Sequence, residues 1–393
     1  MYKIRLGDIA TLINGDRGKN YPSQADITDE GDIPFVNAGH LNGRSIDFEE
    51  MNYISQDKFN RLSSGKFVKG DVLYCLRGSL GKKAIVNDDV EGAIASSLVI
   101  IRPDYNRIDG DYLMFSLDSP SIKEQLIKAN NGSSQPNLSA ASVREYQIEL
   151  PDMKVQKDVV NKLAKVRTII DSRQHEIDLL DELIKARFVE MFGDPASNPK
   201  KWYETTIGEE CFYIKDGPHK SLADIGQENG GHPFISVRNI VNHVIDFSTA
   251  RYISDEDYED AIKKCHPEKG DMLYSKGGTT GIAKLIDVDV EFANWVHVAV
   301  LKFHKDKLNG VFFENMLNSD YCYDQSQRLT KGIANRDLVL SAMAQIKMYR
   351  PPMELQEQFA EFVKQVDKSK VAVQKSLDET QRLFDSLMQE YFG

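Results

Sequence analysis

Short phrases from the first half of this 393-residue sequence return in the second half, about 200 positions later. The matching phrases are Pro34-Phe35-Val36-Asn37 with Pro233-Phe234-Ile235-Ser236, Tyr53-Ile54-Ser55 with Tyr252-Ile253-Ser254, and Lys69-Gly70-Asp71 with Lys269-Gly270-Asp271. The chain therefore contains two copies of one folding unit. A duplicated unit presents two similar surfaces, usually about a pseudo-twofold axis, so we expect a target that is long or has two parts.

Composition is that of an ordinary globular protein, with 41% apolar and 28% charged residues. No apolar run is long enough to cross a membrane and no signal-peptide core follows the start, so we expect a cytoplasmic protein. The net charge of −11 lowers the expectation of nucleic-acid binding, although a local basic patch is sufficient for a phosphate contact. The four cysteines are scattered, which indicates neither a disulfide framework nor a structural zinc site.

The pattern of each copy changes from irregular to helical at Pro151 and again at Pro351. Short β-rich runs alternate with Gly, Asn, Asp and Pro before each of these prolines, which is typical of a mixed α/β (α+β) domain with long surface loops. The sequence thus predicts a first globular domain over 1–150, a helix over 151–193, a second domain over 194–350 and a second helix over 351–393.

Both predicted helices carry apolar residues at alternating intervals of three and four, the mark of a coiled-coil seam. A shift of about 200 positions places Val166 on Val366, Ile184 on Phe384 and Met191 on Tyr391, so the two helices share one register. We expect them to pack on each other. The alternative is that each helix only covers its own globular domain. Against this, a helix of about 39 residues, at roughly 1.5 Å per residue, is longer than such a domain needs for covering.

Motifs of catalysis are missing from the sequence. Gly81-Lys82 is followed by Lys83 rather than Ser or Thr, so it does not form a phosphate-binding loop. No histidines have the spacing of metal ligands, and Pro351-Pro352 lacks the setting of a DNA amino-methyltransferase motif. Catalytic carboxylates that are far apart in sequence remain an alternative, but the chain is better interpreted as a binding protein.

Loops that mix glycine with basic, amide and hydroxyl residues occur at matching places in the two copies. Glycine allows a close backbone approach, lysine and hydroxyls suit phosphates, and Arg, Asn and Gln match the edges of guanine and adenine. These loops differ between the copies more than the scaffold phrases do, which predicts two different half-sites. The candidate DNA-binding residues are Arg17, Lys19, Asn37, His40, Arg77, Lys82, Asn137, Lys215, His219, Lys220, Arg238, Asn239, Lys276, Thr279 and Arg336.

Four phrases give the chain a family resemblance. They are Asp216-Gly217-Pro218-His219-Lys220-Ser221, Pro233 to Ile240, Lys269 to Gly278, and Pro352 to Gln358. Together they resemble the specificity subunit of type I restriction-modification systems over the whole chain. The first copy is a looser match, because Gly15-Asp16-Arg17-Gly18-Lys19 stands in place of the Asp-Gly-Pro-His phrase.

The resemblance implies a subunit without catalytic or metal-binding residues of its own. It would read a bipartite, asymmetric sequence in double-stranded DNA, with its helices forming an antiparallel coiled-coil spacer. It would also join two methyltransferase subunits, which use S-adenosylmethionine, to endonuclease subunits that translocate DNA with ATP and Mg²⁺. Two alternatives are a coiled-coil adaptor that does not read DNA and a nuclease or methyltransferase with an unrecognised site.

Overall fold

The structure is a computed structural model that describes residues 2–129, 137–332 and 335–393. It divides into two compact units. Unit 1 comprises residues 1–174 and 375–393, and unit 2 comprises residues 175–374. Each unit therefore combines one globular domain with segments of both long helices, α5 (Met153–Phe192) and α11 (Met353–Phe392).

The globular part of unit 1 contains short strands and four short helices. The strands are β1 (Tyr2–Arg5), β2 (Ala10–Asn14), β3 (Ile33–Val36), β4 (Leu41–Asn42), β5 (Ser45–Ile46), β6 (Tyr53–Ile54), β7 (Lys66–Phe67), β8 (Val72–Cys75), β9 (Lys83–Ile85), β10 (Gly92–Ile94), β11 (Leu98–Pro103) and β12 (Gln147–Leu150). The helices are α1 (Gln56–Arg61), α2 (Gly110–Asp118), α3 (Pro120–Ala129) and α4 (Ala140–Arg144).

The central sheet of unit 1 is antiparallel, with the strand order β2-β11-β8-β9. Strand β11 is buried on both faces because alternate side chains enter two different cores: Val99 and Ile101 join the core that includes the helices, whereas Leu98 and Ile100 face a second core. A second sheet in the order β6-β3-β10-β7 lies on that second side. A strand buried on both faces explains why Leu98 to Ile101 is a continuous apolar run.

Unit 2 repeats this arrangement. Its strands are β13 (Tyr203–Thr206), β14 (Cys211–Asp216), β15 (His232–Ile235), β16 (Arg251–Ile253), β17 (Met272–Ser275), β18 (Ala283–Leu285), β19 (Ala293–Asn294), β20 (Val298–Phe303) and β21 (Lys347–Arg350). Its short helices are α6 (Ile207–Glu210), α7 (Asp255–Lys264), α8 (Gly310–Leu317), α9 (Asp320–Leu329) and α10 (Leu340–Met343).

The central sheets of the two units have the same strand order, whereas the second sheet has four strands in unit 1 and three, β16-β15-β19, in unit 2. In unit 2 the central order is β14-β20-β17-β18, and Val298 pairs with Ser275 as Leu98 pairs with Cys75 in unit 1. The predicted fold class, a duplicated mixed α/β domain followed each time by a long helix, is confirmed. All four cysteines are buried and free.

The two long helices pack antiparallel within each unit. In unit 1, Lys162 hydrogen-bonds to the hydroxyl of Tyr391 at 3.2 Å, and Arg167 lies over the ring of Phe384, so later residues of α5 meet earlier residues of α11. In unit 2, Asp181 pairs with Lys370 at 2.7 Å. The last turns of α11 thus complete the core of the first domain, and the end of α5 completes the core of the second.

The buried stripe of α5 differs in part from the seam that its sequence predicts. Phe188 and Phe192 are buried, whereas Val155 is exposed and Met191 is only partly buried. Phe188 stacks on Phe312 of α8 at 5.7 Å between ring centroids, because the helix packs on its globular domain as well as on α11. The two interpretations of the helices are therefore both satisfied in unit 2.

A fully buried glutamine fixes the start of each long helix. Gln156 accepts a hydrogen bond from the backbone N–H of Asp109 and donates to the carbonyl oxygens of Arg107 and Pro151. Gln356 makes the same three bonds to Asn309, Lys307 and Pro351. Each glutamine satisfies backbone groups that would otherwise be buried without partners, so it ties the helix to its domain.

A groove of about 1080 Å³ lies within unit 2, between the globular domain and the segments of α5 and α11 that belong to it. Its wall includes Glu314, whose side chain lies 3.4 Å from the ammonium of Lys284. Burial raises the pKa of Glu314 to about 7, and Lys284 only partly opposes this effect. A raised carboxyl pKa means that the folded protein binds this proton more tightly than the unfolded chain does.

We expect Glu314 to make unit 2 less stable as the pH rises. Its stabilising contribution is complete below the ordinary pKa of 4.5 and is lost as the pH rises through about 7. Glu314→Gln removes this titration, so its stability relative to the wild type should increase by roughly 2–3 kcal/mol between about pH 5 and pH 8. Urea unfolding at the two pH values measures the change. Glu259→Gln, on the exposed face of α7, is the control, and an equal difference at both pH values would contradict the expectation.

Candidate functional site

Three loops of unit 1 meet at one edge of its central sheet. Strands β2 and β8 both run antiparallel to β11, so the ends of β2 and β8 lie beside the start of β11. Asn14 pairs with Val99, and Cys75 pairs with Leu98. The residues that follow Asn14 and Cys75 are therefore brought together, although about 60 positions separate them in the sequence.

A pocket of about 410 Å³ opens at this edge. Three of the predicted residues, Arg17, Arg77 and Asn137, line it. Arg77 and Asn137 form an isolated antiparallel bridge, and the guanidinium of Arg17 reaches the carbonyl oxygen of Ser96 at 3.4 Å. The structure thus joins residues from three of the predicted loops of the first copy.

Asp16 holds the first of these loops in shape. Its carboxylate accepts hydrogen bonds from the backbone N–H groups of Gly18 and Ser63, both at 2.7 Å. These bonds hold the pKa of Asp16 below its ordinary value, with the bond from Gly18 as the largest cause. Because its charge is used inside the loop, Asp16 leaves the neighbouring Arg17 without this nearby carboxylate as a partner.

The corresponding edge of unit 2 is organised around Lys276. This lysine is only 5% exposed, and its ammonium lies 2.8 Å from Asp337 and 3.5 Å from Asp216. Asp216 also pairs with Lys264 at 3.0 Å. Two lysines and two aspartates therefore form a network beneath the loops in which the charges balance. Lys276 supports the structure of this surface, and the exposed groups around it are available for contact.

The two edges share one backbone framework. The N–H of Leu76 donates to the carbonyl oxygen of Ser97 at 2.8 Å, as the N–H of Lys276 does to that of His297. The carbonyl oxygen of Leu76 in turn accepts from Leu138, as that of Lys276 accepts from Leu338. The same frame therefore presents different side chains in the two units.

Three predicted residues are committed to contacts within their own domain. His40 is buried, with one ring nitrogen accepting from the N–H of Asn37 and the other 3.4 Å from Asn52. Burial lowers the pKa of His40, which favours the neutral ring. The side chain of Asn37 caps the turn that follows it, and Asn239 is 1% exposed with bonds to Ser236 and Asp246. We assign these three residues a positioning role in their loops.

The remaining predicted residues lie on or near the surface. Lys82 reaches the carbonyl oxygen of Gly39 at 3.5 Å, and Arg238 donates to that of Thr249 at 2.6 Å. The exposed ones are Lys19, Lys215, His219, Lys220, Arg238, Thr279 and Arg336. The loops that contain the predicted residues Asn137 and Arg336 are described only in part, since residues 130–136 and 333–334 lie outside the described residues.

Trp295 and His297 were not among the site residues that the sequence predicted. Their rings contact edge to face at 4.9 Å between centroids, and His297 lies against Gly277. Neither the indole N–H of Trp295 nor Nδ1 of His297 has a hydrogen-bond partner among the described residues. The repeat could have indicated His297, because this residue corresponds to Ser97, which lies beside the pocket of unit 1.

Two other kinds of feature are not found among the described residues. No group of three or more His, Cys, Asp or Glu side chains in residues 2–129, 137–332 and 335–393 is arranged to hold a metal ion. Within the same residues, no helix has both the length and the apolar character required to span a membrane.

The framework and its variable edge match one protein family. The sequence model of the type I restriction modification DNA specificity domain matches the chain twice, over residues 1–182 and 199–380. The chain therefore belongs to the type I restriction-modification specificity family, whose role is to recognise the DNA sequence and not to catalyse its modification or cleavage.

Relatives and solved structures agree in length and fold. The MjaVIII specificity subunit of Methanocaldococcus jannaschii is 22% identical over 389 residues, with 93% of this chain and 85% of that protein covered. The crystal structure of the type I restriction-modification S subunit from M. genitalium has a TM-score of 0.56 at 16% identity, covering 100% of this chain and 96% of that one. A chain from a study of assembly and conformational transition in the type I system also has a TM-score of 0.56, at 18% identity, covering 100% of this chain and 97% of that one.

Proposed function

We propose that unit 1 and unit 2 each read one half of a bipartite, asymmetric DNA sequence. The observation that carries this proposal is the shared backbone frame with different side chains at its edge, since Arg77 and Leu76 stand where unit 2 has Gly277 and Lys276. Equal frames support equal modes of approach to DNA, and unequal side chains support different base sequences. The two long helices would set the number of base pairs between the halves.

The chain would work inside a larger complex. We propose that it binds two methyltransferase subunits and the translocating endonuclease subunits, which would supply the chemistry. S-adenosylmethionine, ATP and Mg²⁺ would belong to those subunits, and the methyltransferase would methylate an adenine that it extrudes from the duplex. Because its target is genomic duplex DNA, we expect the complex to act in the cytoplasm.

Two exposed cations of unit 2 provide the test of half-site reading. Arg238→Ala and Lys220→Ala remove side chains that lie on separate loops, and we expect each to weaken or relax recognition of the second half-site by about 5–150-fold. Discrimination at the first half-site should stay unchanged. The measurement is methylation of a library of DNA duplexes by the chain assembled with its cognate methyltransferase subunits.

The matched control is Lys305→Ala. Lys305 follows the far end of β20, whose first residue adjoins the variable edge, so its side chain lies several strand residues away from that edge. Lys276→Ala is unsuitable as a contact test, because it leaves Asp216 and Asp337 without their buried partner. Equal losses at both half-sites for Arg238→Ala and Lys220→Ala would contradict the proposed division of labour.

A further inference from the structure

The pocket of unit 1 contains two arginines that are not neutralised. Arg17 and Arg77 are exposed, and neither has a carboxylate partner among the described residues. Four of the other arginines of unit 1 are paired with carboxylates: Arg5 with Asp8, Arg44 with Asp111, Arg61 with Asp57 and Arg102 with Asp71, all at 2.6–3.0 Å. The positive charge of this pocket is thus available to a ligand.

The other lining groups include two amides, and arginines together with amides match the donor and acceptor pattern of base edges. Asn14 and Asn137 each have a donor and an acceptor side by side, whereas the hydroxyls of Ser139 and Ser142 bond to each other at 2.8 Å. Arginine also binds phosphates, but guanine presents O6 and N7 in the major groove as two acceptors that match the guanidinium fork. Two forks from separate loops converge here.

Unit 2 is unable to build the same pocket. Asn14 pairs with Val99 as Asp216 pairs with Ala299, so the position of Arg17 corresponds to His219, and that of Arg77 corresponds to Gly277. A Cβ atom at Gly277 would lie 2.0 Å from Nδ1 of His297. No side chain fits at Gly277 without a rearrangement of the loop. The pair of arginines is therefore a device of unit 1 alone.

We infer that Arg17 and Arg77 read guanine in the major groove of the half-site that unit 1 contacts. The inference rests on the proposed function, because it assigns a base to a surface that is proposed to read DNA. It predicts at least one guanine in the first half-site, on either strand. The preference for guanine at that position should depend on the arginine that contacts it. Asp16 and the bridge between Arg77 and Asn137 position the two side chains.

The test uses the complex of this chain with its methyltransferase subunits and measures equilibrium binding to duplexes. We expect Arg77→Ala to lower affinity for the preferred duplex by about 5–150-fold and to abolish the preference for guanine at one position of the first half-site. Arg77→Lys retains the charge but loses the fork, so it should lose the same preference while keeping more affinity. Arg17→Ala should act in the same way at a guanine position.

Modified DNA gives an independent readout. Replacing that guanine by 7-deazaguanine removes the N7 acceptor, so wild-type binding should weaken while binding of Arg77→Ala should not change further. Lys69→Ala is the control, because Lys69 is an exposed cation near the opposite end of β8 from Arg77. Unchanged recognition of the second half-site by the variants shows that the fold and the complex are intact.

Three results would overturn the inference. The first is a first half-site without guanine, which would leave bipartite reading itself standing. The second is an equal loss for every duplex with a salt dependence reduced by about one phosphate contact, which would assign the arginines to the backbone. The third is wild-type affinity for Arg77→Ala and Arg17→Ala. A complex that reads no bipartite sequence would instead refute the proposed function.

Discussion

Inserting four residues into both long helices should cause the complex with methyltransferase subunits to methylate a site with a longer spacer. Insertions between positions 174 and 175 of α5 and between 374 and 375 of α11 fall at the division between the units, so the helix pairing inside each unit is retained. Four helical residues add about 6 Å, close to two base-pair steps of roughly 3.4 Å. Methylome sequencing should show both half-sites unchanged, a spacer longer by about two base pairs, and no methylation of the original site.

The insertion in α5 alone is the discriminating partner of this experiment. One lengthened helix beside one of original length is expected to misplace the pairing, so methylation should fall for every spacer and return only in the doubly inserted chain. Four residues inserted between Asp88 and Asp89, in an exposed turn of unit 1, serve as the control. A doubly inserted chain that keeps the original spacer would show that the helices do not set it.

Phe359→Ala should strongly destabilise unit 2. Its ring is fully buried and contacts Phe188 at 5.4 Å and Phe192 at 5.5 Å between centroids. Removing a buried phenylalanine costs about 3–5 kcal/mol through lost burial and the cavity that remains. Both tryptophans of the chain, Trp202 and Trp295, lie in unit 2, so their fluorescence during urea unfolding reports on this unit.

Val371→Ala is the matched control on the same helix. Val371 is 71% exposed, so we expect its truncation to change stability by less than about 0.5 kcal/mol. As the urea concentration rises, the Phe359→Ala variant should also lose recognition of the second half-site before it loses recognition of the first. A loss below about 1 kcal/mol for Phe359→Ala would mean that the aromatic cluster is not the element that fixes α5 and α11 to unit 2.

The duplicated fold could be predicted from the sequence because its signals are periodic. The repeated scaffold phrases, and the alternating intervals of three and four residues in the helices, indicate which side chains are buried. Both signals arise because each copy must fill a core of the same kind. The structure repeats the pairing of Cys75 with Leu98 as that of Ser275 with Val298, in agreement with the repeated phrases. Period alone does not tell which core a helix segment completes, so the roles of Phe188 and Phe192 were missed.

The candidate site was less accessible to sequence reasoning, because residue type does not reveal whether a polar group is already satisfied. His40 and Asn239 have the chemistry of DNA contacts, but their hydrogen bonds are made within the fold. Lys276 is neutralised by Asp337, which lies 61 positions further along the chain. The convergence of Arg17, Arg77 and Asn137 likewise depends on strand pairing and not on spacing.

Because residues 375–393 complete the core of the first domain, the end of α11 stabilises a domain whose own residues lie far earlier in the sequence. A chain that stops shortly before Phe384 would keep every residue of the candidate site in both units. Tyr112 would nevertheless lose its contact with Phe392, and Phe115 its contact with Phe384. A domain grafted in place of the first globular domain must therefore fit residues 375–393 of α11. Such grafts should succeed when their helix-facing surface is compatible, whatever bases they read.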